Sequence, residues 1–203
     1  MRRRWLALLL PLALGGVTGC GYNTIQTYDE QANEAKSRIQ VQLQRRADLI
    51  PNLVNTVKGY AQHEETIFTN VANARSRLLN AVRGGDPAQM ATANQELSGA
   101  LGRLLAISEA YPQLKADQNF LRLQDELTGT ENRIAVARND YNEAARQYNT
   151  YIRQFPTAVT AKVIGAKQKP YFEVTDASKL QPPTVDFSKP TPAQPAPAAG
   201  KVP

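Results

Sequence analysis

The sequence predicts an all-α fold, specifically an elongated antiparallel four-helix up-and-down bundle, on three observations. Apolar residues recur at three- and four-residue steps from Thr24 to about Phe155. Helix-breaking residues divide that stretch at short turns, and no strand-like alternation interrupts it before Phe155. A chain of 203 residues, 42% hydrophobic and 21% charged, holds material for one such domain.

The stripes assign the helices. Ile25, Tyr28, Ala32, Ala35, Ile39 and Leu43 share a face of a helix over about 24–47, and Leu53, Val57, Tyr60, Ile67, Val71, Leu78 and Val82 mark a second over 49–83, with Glu64 interrupting it. Met90, Ala93, Leu97, Leu101, Leu104, Ile107 and Tyr111 mark a third over 87–111. A fourth, over 113–155, carries Phe120, Leu123, Leu127, Ile134, Tyr141, Ala145, Tyr148, Ile152 and Phe155, with its tyrosines and Phe155 in core positions. Such sustained heptad-like spacing is that of coiled-coil packing.

Each break has a local cause. Asp48 is placed to cap a new helix with Leu49, Ile50 and Pro51 in its first turn, where proline's missing N–H costs nothing. Gly84-Gly85 ends the second helix, Asp86-Pro87 opens the third, and Tyr111-Pro112 ends it. Short turns force alternating directions, so the molecule is expected to be a rod. Its Arg45–Asn52 and Tyr111–Asn119 turns would share the distal tip, while Gly84-Gly85 and Phe155 would lie near the N-terminal end. Residues 157–187 read as an irregular, extended segment packing on the bundle or on the membrane surface, with apolar islands at Tyr171–Val174 and Val185–Phe187, and 188–203 as a disordered Pro/Ala-rich tail.

The N-terminus carries a separate signal. Arg2–Arg4 precede an apolar run, Trp5–Leu14, that is too short for a bilayer span of ~20 residues, so 1–19 reads as a signal peptide. Val17-Thr18-Gly19-Cys20 resembles the lipobox of bacterial lipoproteins. That resemblance implies cleavage between Gly19 and Cys20, a diacylglycerol thioether on Cys20 and an acyl chain, such as palmitate, on the new amino terminus. A thiol suits this acceptor role because it is nucleophilic near neutral pH. The competing reading is a chance thiol at the end of an uncleaved anchor. Cys20 is the one cysteine of the chain, so no intramolecular disulfide forms, and lipidation removes an otherwise free exported thiol.

Composition and motifs exclude several functions. Arg2–Arg4 are three of the 24 basic residues, which leaves 21 against 18 acidic ones beyond the signal segment, interspersed rather than clustered, and no nucleic-acid face is expected. The lone His63 is followed by Glu64-Glu65, but Ile67 stands where a zinc-binding His-Glu-x-x-His would need its second histidine. His63 therefore reads as a solvated helix-surface residue. No nucleophile elbow or phosphate-binding glycine loop is present, so no catalytic residue, metal, cofactor or small-molecule substrate is expected beyond the covalent lipid. An envelope enzyme, a hydrolase in its least implausible form, is the alternative class.

Two polar groups stand out. Arg45, Arg46, Asp48 and Asn52 cluster at the first turn, where caps do not need two arginines, and are the candidate contact with a partner protein. Glu131, Asn132, Arg133, Arg138, Asp140 and Asn142 on the fourth helix are as well explained by exposed ion pairs. After the bundle, Val163 and Ile164 with Lys162 and Lys167 are candidates to lie at a membrane interface, or alternatively to plug the open end of the core.

Longer motifs resemble the LemA family. They include Gly21-Tyr22-Asn23, Gln44-Arg45-Arg46-Ala47-Asp48-Leu49-Ile50-Pro51-Asn52-Leu53-Val54 and Val57-Lys58-Gly59-Tyr60 with His63-Glu64. Ala110-Tyr111-Pro112, Leu123-Gln124-Asp125-Glu126-Leu127, Glu131–Arg138, Phe155-Pro156, Tyr171-Phe172 and Val185-Asp186-Phe187 continue the match. The resemblance implies a membrane-attached four-helix bundle and no defined reaction. The short apolar run with a lipobox departs from members that look as if they keep an uncleaved N-terminal membrane helix. The expected function is a lipid-anchored envelope scaffold or adaptor that meets an unidentified envelope protein outside the cytoplasm. Gly21 after the lipidated cysteine resembles lipoproteins of the outer membrane, on its periplasmic face, in cells that have one.

Overall fold

The computed structural model describes the backbone from Arg2 to Val174 and the side chains from Gly21 to Val174. The side chains of the signal segment and lipobox, the Val185–Phe187 island and the Pro/Ala-rich tail lie outside the described residues. Among the described residues there are six α-helices and no strand. They are α1 (Arg2–Lys58), α2 (Glu65–Gly84), α3 (Pro87–Ala106), α4 (Pro112–Lys115), α5 (Gln118–Tyr151) and α6 (Thr157–Val163), with a 3-10 turn at Ile107–Glu109. Among the described residues no helix is long and apolar enough to cross a membrane.

The four long helices alternate in direction. Tyr28 meets Tyr151, Arg46 meets Glu131 and Tyr60 meets Asp117, so α1 and α5 run antiparallel along their shared length. Gln40 donates to the Val82 carbonyl and Arg75 to that of Ala47, which sets α2 antiparallel to α1, and the Arg77–Glu96 ion pair bridges α2 and α3. The α2–α3 hairpin thus packs on the half of the α1–α5 pair beyond Gln40. There Leu43, Ile50, Leu53, Leu78, Met90, Leu97, Leu104 and Phe120 form a buried seam. Closer to Gly21, Ile25, Tyr148 and Ile152 are closed over by Ala161 of α6.

The first turn falls later than expected. The helix runs unbroken through Asp48–Pro51 and ends at Lys58, and the chain reverses over Gly59–Glu64. The reason is that Ile39, Leu43, Ala47, Ile50, Leu53 and Val57 form one continuous buried stripe. Its burial outweighs the ~3 kcal/mol that an interior proline typically costs. Asp48 caps nothing and instead accepts from Gln44 Nε2 at 2.9 Å. The turns at the other helices are set by their caps. Gly85 closes α2 in the left-handed conformation at φ 70°, and the Asp86 carboxylate accepts from the Ala88 and Gln89 amides ahead of Pro87.

Other boundaries shift as well. The third helix ends at Ala106, Pro112 opens the short α4 rather than terminating a helix, and α5 starts at Gln118 because Asp117 caps it through the Phe120 amide at 2.9 Å. Tyr60 and Phe155, expected in the core, are 37% and 87% exposed because both sit in turns beyond the ends of the stripes. Gly84-Gly85 does not lie near the N-terminal end but beside Gln40, because α2 and α3 are much shorter than α1 and α5.

The segment after α5 is more ordered than an irregular extension. Thr157–Val163 is helical and packs through Thr157, Thr160 and Ala161. Residues 166–174 then run as a strap that the α5 side chains hold by its backbone. Asn149 Nδ2 donates to the Lys169 carbonyl at 2.9 Å while its Oδ1 accepts from the Lys169 amide at 2.7 Å. Asn142 Oδ1 accepts from the Phe172 amide at 2.8 Å, and the Tyr141 hydroxyl donates to the Pro170 carbonyl at 2.6 Å. Phe172 enters the core.

Candidate functional site

The four polar residues expected at the distal turn separate in the structure. All lie within α1, not at a turn. Arg45, Asp48 and Asn52 are exposed, whereas Arg46 is buried, with only 6% of its side chain accessible. The reason is its register: Arg46 falls on the buried stripe between Leu43 and Ile50. Its guanidinium donates to Asn94 Oδ1 at 2.6 Å and to Ser98 Oγ at 3.1 Å, and pairs with Glu131. Nε is left without a partner among the described residues. Burial pushes the Arg46 pKa down, and Glu131 opposes that shift incompletely. Arg46 therefore links α1, α3 and α5 internally and is not available to a partner protein. A basic residue in an apolar slot of the stripe was the sequence signal for this role.

The true distal end is built from Gly59–Glu64 and Ile107–Asp117. Tyr60 donates its hydroxyl to Asp117 Oδ2 at 2.8 Å and joins the two turns. The Phe120 amide and then the Tyr60 hydroxyl hold the Asp117 carboxyl below its ordinary pKa. The same bond raises the Tyr60 pKa. His63 is exposed, as expected, but lies in this turn rather than on a helix. Among the described residues no group of three or more His, Cys, Asp or Glu side chains gathers at metal-binding range.

Running back from that end, α1 and α2 flank an open groove of about 730 Å³. Ile50, Val54, Phe68 and Ala72 give it an apolar floor, and Pro51, Lys58, Glu65 and Arg75 edge it. Arg75 reaches across to donate Nε to the Ala47 carbonyl at 2.7 Å, the acceptor that Pro51 leaves without its helical partner. Asp48 and Asn52 stand one helical turn from Pro51 and Asn55 on the groove wall. Sequence reasoning missed the groove because its walls come from two helices that meet only in space.

At the opposite end, a Cβ placed on Gly21 would lie 3.2 Å from the Thr157 side chain, so α6 starts beside the residue that follows Cys20. The candidate interface residues Lys162, Val163, Ile164 and Lys167 are all exposed here. Val163 at 79% and Val159 at 54% do not plug the core, which Ala161 closes instead. Lys169 points inward, pairs with Asp29 at 3.0 Å and lies over the Tyr148 ring.

Known proteins align with most of this architecture. The chain is 30% identical to magnetosome protein MamQ 2 of Paramagnetospirillum magneticum over 175 residues, covering 75% of this chain and 64% of that protein. It is 29% identical to magnetosome protein MamQ of Magnetospirillum gryphiswaldense over 174 residues, 74% of this chain and 64% of the relative. Protein LemA of Metamycoplasma hominis is 24% identical over 159 residues, 78% of this chain and 71% of the relative. The chain thus spans less than two thirds of the length of these magnetosome relatives. The LemA family model matches residues 35–187, from the middle of α1 through the α2–α3 hairpin, α5 and the strap, and the chain belongs to the LemA family.

Proposed function

We propose that this protein is a membrane-attached helical scaffold or adaptor, held by lipid on Cys20 and engaging a partner protein through the groove between α1 and α2. In this reading signal peptidase cuts between Gly19 and Cys20, and the mature chain stands outside the cytoplasm, on the periplasmic face of the outer membrane where the cell has one. The observation that carries it is the separation of the two ends. Gly21 and the groove residue Val54 lie on one continuous helix about 50 Å apart at ~1.5 Å per residue. Such a rod sets its groove far from the anchor, where an amphipathic helix of another envelope protein fits an apolar floor with polar edges.

A photo-crosslinking residue at Thr69, on the groove wall, tests this in intact cells. A discrete protein adduct is expected, and none from the same residue at exposed Val136 on α5. Identical or no adducts at both positions would refute partner capture by the groove. Cys20→Ser tests the anchor separately by mass spectrometry: an uncleaved precursor without acyl chains supports it, and correctly cleaved, mature-sized protein refutes it.

A further inference from the structure

We infer that the exposed side of α6, with the turn before it, is a second membrane contact that rests on the surface of an anionic bilayer. Phe155, Val159 and Val163 follow one another at four-residue steps and are 87%, 54% and 79% exposed. Val159 and Val163 lie one turn apart on α6, and Phe155, in the turn just before it, adds a third exposed large apolar side chain at the same end, which is unusual for a surface meant for water. The opposite side of α6, Thr157, Thr160 and Ala161, is packed on the bundle, so α6 presents its stripe in a fixed direction.

Charge selects the occupant. Between Glu143 and Glu173 the chain has no acidic residue, and it carries Arg146, Arg153, Lys162, Lys167 and Lys169. Arg146 is paired with Glu143 and Lys169 with Asp29. Arg153, Lys162 and Lys167 have no acidic partner among the described residues, and all three are exposed around the stripe. Apolar side chains flanked by unneutralised cations fit the boundary between acyl chains and anionic headgroups, where both terms favour contact. A protein partner or a second copy would also cover apolar surface, but it would have to bring its own acidic groups to Arg153, Lys162 and Lys167, which anionic headgroups supply directly.

Position completes the argument. Thr157 lies against Gly21, so the stripe starts level with the residue after Cys20. This inference rests on the proposed anchor, which brings that end to the bilayer. Because α6 runs beside α1 from Gly21 toward Ile25, lipid contact along the stripe lays this flank of the rod against the surface. The rod would therefore lean toward its α6 side, which fixes the direction in which the distal groove faces.

The test uses the full chain reconstituted in phosphatidylcholine vesicles with and without phosphatidylglycerol, carrying an environment-sensitive thiol probe at Val163→Cys or, as control, at Val136→Cys. In anionic vesicles a shallow lipid-borne quencher should quench the probe at 163 several-fold more than at 136. Lys162→Glu with Lys167→Glu, or high salt, should remove most of that difference. Equal quenching at the two positions would overturn the inference, as would a probe at 163 shielded from both lipid-borne and aqueous quenchers, the pattern of burial by protein. The number of probes per chain reads the anchor independently: a second probe marks a free Cys20 thiol and refutes lipidation, whatever the quenching at 163.

Discussion

Arg75 Nε on α2 donates at 2.7 Å to the carbonyl oxygen of Ala47 on α1, the helical acceptor that Pro51 cannot serve. A side chain from a neighbouring helix thereby completes the ladder of another at its weakest point. Arg75→Met keeps the stem but removes the donor, and is expected to destabilise by about 1–3 kcal/mol because a partly buried carbonyl loses its partner. Pro51→Ala in that background restores an N–H to Ala47 and should recover most of the loss. A urea-denaturation double-mutant cycle measures the coupling, and simple additivity would show that the two residues act separately.

Arg46 and Glu131 should respond unequally to substitution. Glu131 is half accessible, at 49%, and can be hydrated if left alone, whereas Arg46 is buried and its desolvation outweighs the pull of Glu131. Glu131→Gln is expected to cost about 2–4 kcal/mol by leaving a buried charge without its counter-ion. Arg46→Met fills the same apolar slot but takes the donor from the buried Asn94 side-chain carbonyl, and should cost about 1–2 kcal/mol, less than Glu131→Gln. Thermal melts of the two variants check the order, and a larger loss for Arg46→Met would overturn it.

Tyr141 predicts an alkaline limb in stability. Burial, with a smaller contribution from Asp86, pushes its pKa up to about 12 from 10.0. The neutral phenol is favoured in the folded state, so its contribution is complete below pH 10 and is lost as pH rises through about 12. Near that upper limit the loss approaches about 2 kcal/mol at ~1.4 kcal/mol per unit. Tyr141→Phe should flatten this part of the stability curve and speed amide exchange in the strap, since it also removes the bond to the Pro170 carbonyl. Unchanged exchange at Tyr171 and Phe172 would show that the hydroxyl does not hold the strap.

The core assignment has its own test. Leu101 and Ile134 are 4% and 3% exposed in the main core cluster. Leu101→Asp or Ile134→Asp is expected to destabilise by about 3 kcal/mol or more, since each would put an uncompensated carboxylate among apolar side chains. His63→Ala, at an exposed turn, should leave the melting temperature within error of the parent. Calorimetry of the three variants decides both statements.

The sequence by itself determined the all-α class, the family and most buried positions, because three- and four-residue periodicity and the Gly85 and Asp86 caps are local in the chain. Ile39, Leu43, Leu78, Leu97 and Ile134 are buried where the stripes placed them. Only the tertiary structure decided where α1 ends. Locally, Asp48 and Pro51 look like the start of a helix, yet packing of the stripe across them and the bond from Arg75 outweigh that preference. The same is true of Arg46, whose charge says surface while its register says interior; Asn94, Ser98 and Glu131, distant in sequence, make the interior position tolerable. The groove and the exposed α6 stripe also arise only in space. The first is lined jointly by α1 and α2, and the second comes from α6 packing Thr157 and Ala161 inward, which leaves Val159 and Val163 facing out.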